Sequence, residues 1–300
     1  MANASPVNDA VEAEPVQVKM VPEVYIESNK IQRAMGIKIL DSPQMSFAIK
    51  PSGSQQFIDV GCGTGDFTLQ ELLPRCQPCR RIVATDISRA MVEYAEENFA
   101  HPQIAYEVHD IESDITGLIE KYGKFERVYS FCALQWTADL TTALRNVAGL
   151  MTDQGECLLV FPARLPLFRL WRRIAEIDRW KPYKGVIERF IPPSADIKDM
   201  SNLNSYLLGV LKNAKLNPRM CQVVTEDQSG LGLEKNIGEG DGLGVGVNYV
   251  ETFLQSALLL SLGACAAPKG DIIRTDGVMK GWDGVWLNWK TFQNKIKERG

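Results

Sequence analysis

The run Asp59-Val60-Gly61-Cys62-Gly63-Thr64-Gly65 carries the densest chemical signal in this 300-residue sequence. Gly61, Gly63 and Gly65 make a bare turn after a short apolar run, which lets a ligand approach the backbone closely. Their spacing is Gly-x-Gly-x-Gly, not the Gly-x-Gly-x-x-Gly that seats a dinucleotide pyrophosphate on a helix N-terminus. Asp59 stands just ahead of the turn. Its carboxylate repels a diphosphate and attracts a cofactor that carries an ammonium and a sulfonium.

Further groups follow at matching places. Asp86 is positioned to take both hydroxyls of a ribose, although NAD enzymes use an acid there too. Ile87 offers an apolar face to an adenine. Asp110 can accept from an exocyclic amine, and Ile111 can present a backbone N–H to a ring nitrogen. Cys62, Thr64 and Ser130 complete the expected cofactor contacts. The set fits S-adenosylmethionine. Each member also has a plainer use: a structural turn for the glycines, a helix-start acid for Asp86, a surface turn residue for Asp110.

The elements that position these groups read as strand alternating with helix. Gln56–Val60, Arg81–Thr85, Ile104–Val108, Glu126–Phe131 and Glu156–Phe161 are predicted strands. A helix starts at Asp66, another follows Ser88 as its cap with Met91, Val92, Ala95 and Phe99 inward, and a third covers Leu140–Met151. Met220–Val224 is predicted as a sixth strand and Leu243–Val247 as a seventh. The expected fold is α/β, Rossmann-like: a mostly parallel seven-stranded sheet with helices on both faces.

Outside that alternation, Tyr25–Leu40 reads as one helix with Tyr25, Asn29, Gln32 and Gly36 on one face. Leu167, Leu170, Trp171, Ile174 and Ile177 form a second amphipathic face, continued by Trp180, Tyr183, Phe190 and Ile191 through a proline-punctuated loop. Ile197–Leu211 is helical. Segments 21–50 and 162–212 are thus expected to cap a single domain spanning 21–300. Seven glycines between Gly230 and Gly246 mark a loop over 229–246, and Val250–Leu262 reads as a further helix.

Composition narrows the class. An apolar fraction of 45%, a charged fraction of 23% and a net charge of -4 describe a globular chain with no electrostatic case for a nucleic-acid partner. Residues 1–20 read as a flexible leader, and Phe253–Ala267 is too short to span a bilayer. A cytoplasmic location is expected. The two histidines, His101 and His109, cannot supply a histidine-rich metal centre, and no metal site is expected. Cys76-Gln77-Pro78-Cys79 reads chiefly as a solvent-exposed turn. The sequence leaves the oligomeric state open, a homodimer included.

Several pieces together resemble one family. They are Tyr25-x3-Asn29-x2-Gln32, the Phe57–Gly65 loop, Asp86-Ile87-Ser88-x2-Met91-Val92, Ser130–Trp136, Gly155–Phe161, Trp180–Tyr183 and Phe190-Ile191-x-Pro193. This pattern is similar to that of the arthropod juvenile hormone acid O-methyltransferases. The resemblance implies methyl transfer to the carboxylate of a hydrophobic acid, such as juvenile hormone acid, farnesoic acid or a fatty acid. It implies that Gln32 and Trp136 hold that carboxylate, beside Tyr25. Gln135 stands where the family usually has histidine; an amide still donates a hydrogen bond but carries no charge.

A carboxylic acid is already ionised at neutral pH, so the expected reaction needs alignment and not a general base. Leu134, Leu167, Phe168, Trp171, Trp180 and Phe190 are the candidate walls for the apolar chain, with ordinary core packing as their other reading. Two further readings remain open at this level. One is a polar acid or amine acceptor anchored by Arg164, Arg169, Arg172 and Arg173. The other is a cofactor-binding partner protein without activity.

Overall fold

Every residue of Gln56–Val60 is buried, as expected for a strand covered on both faces. In the computed structural model, which describes residues 21–43, 47–164, 166–178 and 180–223, this segment is β1 at the centre of the sheet. β2 (Arg81–Asp86) and β3 (Ile104–Val108) lie on one side; β4 (Phe125–Phe131) and β5 (Met151–Val160) lie on the other. The order is β3-β2-β1-β4-β5 and every pairing is parallel. The chain reverses its direction of travel between β1 and β4. That switch point opens a crevice at the C-terminal ends of the strands.

Side chains alternate across the sheet with the period of a strand. Ile58, Val83 and Val128 meet α5 (Thr116–Tyr122), α6 (Leu140–Leu150) and α9 (Met200–Asn213) through Leu118, Leu144, Val147 and Val210. Phe57, Ile82 and Tyr129 point the other way, onto Leu72, Leu73, Cys76 and Cys79. Ala84 packs on α4 (Arg89–Asn98) through Val92 and Ala95. The hydroxyl of Ser88 accepts from the Met91 N–H at 3.4 Å and caps α4 as predicted.

Several expectations are corrected. The sheet has five strands among the described residues. Of the predicted Met220–Val224 strand, the described residues Met220–Val223 form no strand, and Met220 stands 43% exposed. The predicted strand at Leu243–Val247, the helix at Val250–Leu262, the 229–246 loop and the leader lie outside the described residues. The first helix is two: α1 (Pro22–Ser28) and α2 (Lys30–Leu40) meet at Asn29, whose side chain is held elsewhere. The helix after the glycine turn widens into a π-turn at Thr68–Leu72 before α3 (Leu73–Arg75). Pro74 has no N–H for the carbonyl four residues back and crowds it, which the wider turn relieves.

The cap is more helical than expected. α7 (Pro166–Ala175) is followed by α8 (Lys184–Arg189), in a stretch read above as loop. Pro182 sits at the start of this helical segment, where proline is tolerated, not at a break. Asp199 caps α9 by accepting from Asn202 N–H at 2.9 Å. The Cys76–Cys79 turn exposes Gln77 and Pro78 as expected, but both thiols are buried, and burial pushes the Cys76 thiol up to about 12. No described helix is long and apolar enough to cross a membrane.

Candidate functional site

The glycine turn leaves β1 at the switch point. Gly61 and Cys62 both donate their N–H to Thr85 O, at 2.7 and 2.9 Å, which folds the turn back over β2. Gly61, at φ 79°, adopts the left-handed backbone that glycine alone takes without strain. Gly65, at φ 77°, lies so close to Ala95 that an added Cβ would stand 2.7 Å from it. Gly63 lies under Tyr25 of α1, whose ring would be 3.1 Å from a Cβ there.

Acidic groups surround the turn. Asp86 ends β2 and accepts from Gly63 N–H and Ser88 N–H, both at 2.9 Å. Burial raises its carboxyl pKa, against the pull of these two donors. Asp59 is almost wholly buried and accepts from the Thr68 hydroxyl at 2.6 Å. Burial pushes its carboxyl up to about 7, with Asp86 adding to the rise. A bound cation would reverse that cost, whereas a diphosphate would add to it. The residues present therefore fit an ammonium- or sulfonium-bearing cofactor.

The remaining predicted contacts fall into two groups. Ile87 is 67% exposed beside Asp86, on the rim of the crevice. Asp110 follows β3 and accepts from Glu112 N–H at 2.9 Å in a local turn. Ile111 is buried with the core, and its carbonyl accepts from Asn146. Thr64 is fully buried and donates to Asp66 at 2.6 Å. Burial, then the nearby acids, raises the Cys62 thiol well above its ordinary range. Ser130 differs from expectation: its fully buried hydroxyl donates to Val60 O at 2.8 Å, tying β4 to β1 inside the sheet.

α1 and α2 close one side of the cleft. Its lining holds Tyr25, Asn29 and Gln32 from these helices, Asp59, Gly61 and Cys62 from the turn, and four residues not anticipated as site residues: Arg33, Asp66, Phe67 and Phe131. Asn29 was legible as a member of the Tyr25–Gly36 stripe. Gly36 on that stripe packs against Phe67, whose ring stands 5.0 Å from that of Phe131. Arg33 and Asp66 are oppositely charged but distant in sequence, and only the fold brings them to 3.0 Å.

The acceptor-side candidates divide. Trp136, on the turn after β4, stands edge-on to Phe168 at 6.3 Å and tilted against Trp171 at 5.9 Å; Phe190 extends the cluster from Trp171 at 6.5 Å. Trp180 is buried against Tyr183. Leu134 belongs instead to the main core with Ile58 and Val128. The side chain of Leu167 lies outside the described residues. Gln135 is 6% exposed; its Nε2 donates to Cys132 O, and its buried Oε1 has no partner among the described residues. Gln32 lines the cofactor cleft, whereas Trp136 lies in the cap cluster.

Residues 57–155 match the family model described as "Methyltransferase domain". Over that third of the chain the sequence is similar to a methyltransferase domain, and the site suits S-adenosylmethionine. The chain's α/β architecture is the Rossmann-like fold of class I methyltransferases, with five described strands in place of the seven expected. Over 179 residues, 59% of this chain, it is 32% identical to a juvenile hormone acid O-methyltransferase of Bombyx mori. A Drosophila melanogaster protein of the same name is 30% identical over 172 residues, 57% of this chain. The matches span 63% and 58% of those relatives' lengths. A trans-aconitate 2-methyltransferase of Variovorax paradoxus is 30% identical over 134 residues, 44% of this chain and 49% of its own. The methyltransferase domain thus accounts for the glycine turn, the acids around it and the sheet that presents them.

Proposed function

We propose that this protein transfers a methyl group from S-adenosylmethionine to the carboxylate of a hydrophobic acid. The observation that carries the reading is the pairing of two environments. Asp59 is a desolvated carboxyl facing the cleft, and beyond the turn after β4 lies an aromatic cluster of Trp136, Phe168, Trp171 and Phe190. The first suits a cationic cofactor; the second suits an apolar acceptor chain, at about 0.8 kcal/mol per buried methylene. The names of the similar proteins support the acid, since two are juvenile hormone acid O-methyltransferases and one acts on trans-aconitate.

When bound, the cofactor supplies a methyl group made electrophilic by its positive sulfur. In this reading Asp86 holds the ribose, with Ile87, Asp110 and Ile111 around the adenine. Asp59 balances the cofactor's positive charge. Gln32 donates to the acceptor carboxylate from α2, and the Trp136 indole N–H donates from the turn after β4. Oriented donors that place the oxygen in line are sufficient, because a carboxylate with a pKa of about 4 needs no base at neutral pH. Tyr25 and the aromatic cluster keep water from the reacting pair, which strengthens those hydrogen bonds.

One detail favours a narrower second reading. Gln135 turns its amide N–H inward to Cys132 and leaves a buried Oε1 with no partner among the described residues. An acceptor molecule with an N–H or O–H near its reacting atom would satisfy it. Arginine-anchored binding has less support: Arg172 is paired with Glu188 and Asp196, and Arg164 with the carbonyls of Ile197 and Lys198.

The deciding experiment is mass spectrometry of methylated products from a panel of farnesoic, juvenile hormone, medium-chain fatty, dicarboxylic and amine acceptors. Methyl esters of the apolar acids, strongly reduced in Trp136→Phe and Gln32→Ala, are expected. Methylated amines alone, or no product from protein that binds S-adenosylhomocysteine, would overturn the acid reading.

A further inference from the structure

Asp66 lines the cofactor cleft and joins the glycine turn to the N-terminal helices. It follows the glycine turn directly and is 5% exposed. Its Oδ1 accepts from the Thr64 hydroxyl at 2.6 Å, inside the turn. From the other side come Asn29 Nδ2, at 3.3 Å to each oxygen, and Arg33 Nη1, at 3.0 Å to Oδ2. Asn29 is the joint between α1 and α2, and it is 6% exposed. Arg33 also reaches Gln70 at 2.8 Å and Glu71 at 2.5 Å on the helix that follows the turn.

The two N-terminal helices are therefore fastened to the cofactor loop by one buried carboxylate. Charge-assisted hydrogen bonds of this kind are roughly twice as strong as neutral ones. The residues flanking Asn29 and Arg33 on these helices include Tyr25 and Gln32, which face the same cleft.

We propose that Asp66 is a positioning residue: its carboxylate clamps α1 and α2 onto the cofactor loop through Asn29 and Arg33, and so sets where Gln32 meets the acceptor. The proposal rests on the reading that Gln32 holds the acceptor. The cofactor loop keeps its bonds to Thr85 and Asp86 without the clamp, so loss of the clamp acts chiefly on the acceptor side.

Asp66→Asn keeps one acceptor oxygen and turns the other into an N–H donor, so it cannot accept from Thr64, Asn29 and Arg33 together. Acceptor KM should rise about 10-fold or more, by a larger factor than the Kd for S-adenosylhomocysteine measured by calorimetry. Arg33→Gln should act in the same direction and serves if Asp66→Asn fails to fold. The double variant Asp66→Asn/Arg33→Gln restores a complementary amide pair and should recover part of the loss, which a merely structural defect would not do. Amide hydrogen exchange over residues 22–40 reads the clamp without any acceptor, and it should quicken in either single variant. Unchanged exchange over 22–40, or acceptor KM and cofactor affinity weakening together with no recovery in the double variant, would overturn the clamp. If the folded wild type turns over no acid, the acceptor reading fails while the exchange result still judges the clamp.

Discussion

A methyl group on Gly61 would lie 2.1 Å from the Cβ of Ala133, so the turn after β4 is pressed onto the turn after β1. The two loops that bracket the switch point are thus in mutual contact. Movement of one is felt by the other, which ties the cofactor loop to the segment that carries Gln135 and Trp136.

Gly61→Ala meets two penalties at this contact. The left-handed backbone costs about 1–2 kcal/mol, and forcing a methyl into the contact adds about 1–3 kcal/mol. Adding Ala133→Gly removes the clash but not the strain. Urea denaturation should therefore show partial recovery in the double variant. No recovery at all would mean that the two turns do not press on each other.

Asp59 makes both stability and cofactor binding depend on pH. Its folded pKa of about 7 lies above the ordinary 3.8, so the empty protein holds a proton that the unfolded chain has already released. The stability associated with Asp59 is full below about pH 4 and is lost as pH rises to about 7. Asp59→Asn should raise the Tm of the cofactor-free protein at pH 8. Binding of a cation favours the carboxylate, so affinity for S-adenosylmethionine should fall from about pH 7 towards pH 5, with proton release. Calorimetry in two buffers of different ionisation enthalpy measures that release; a flat pH profile in the wild type would contradict it.

Ser130 separates sheet chemistry from site chemistry. Ser130→Ala removes the 2.8 Å bond to Val60 O and should cost about 1–2 kcal/mol of stability. S-adenosylhomocysteine affinity should stay within about 2-fold. A large loss of affinity in a stable variant would return Ser130 to the cofactor site.

Phe168, 1% exposed, is the most buried member of the aromatic cluster. Phe168→Ala should cost about 3–5 kcal/mol and open space beside Trp136 and Trp171. Product profiles should shift towards bulkier acids. A stability loss with an unaltered profile would make the cluster core alone.

Much of the cofactor half was legible because it is local. A glycine turn, the acid ahead of it and the capping Ser88 lie within a few residues of the groups they serve, and a strand covered on both faces reads as an apolar run. The cap was harder. Pro182 was read as punctuation although a helical segment begins there, and the Cys76–Cys79 turn was read as exposed, which holds for Gln77 and Pro78 but not for the two thiols that Phe57, Ile82 and Tyr129 cover. Burial depends on what lies opposite, which spacing along the chain does not contain.

The sequence by itself determined an α/β chain whose first loop is acidic, glycine-lined and suited to a positively charged cofactor, because those properties depend on residue type and short spacing. Only the tertiary structure decided that Ser130 serves the sheet, that Leu134 belongs to the core, and that Asp66 meets Asn29 and Arg33. Each of those is a contact between elements far apart in the chain. Hydrogen bonds and packing act over a few ångströms, and the fold alone brings such groups within reach.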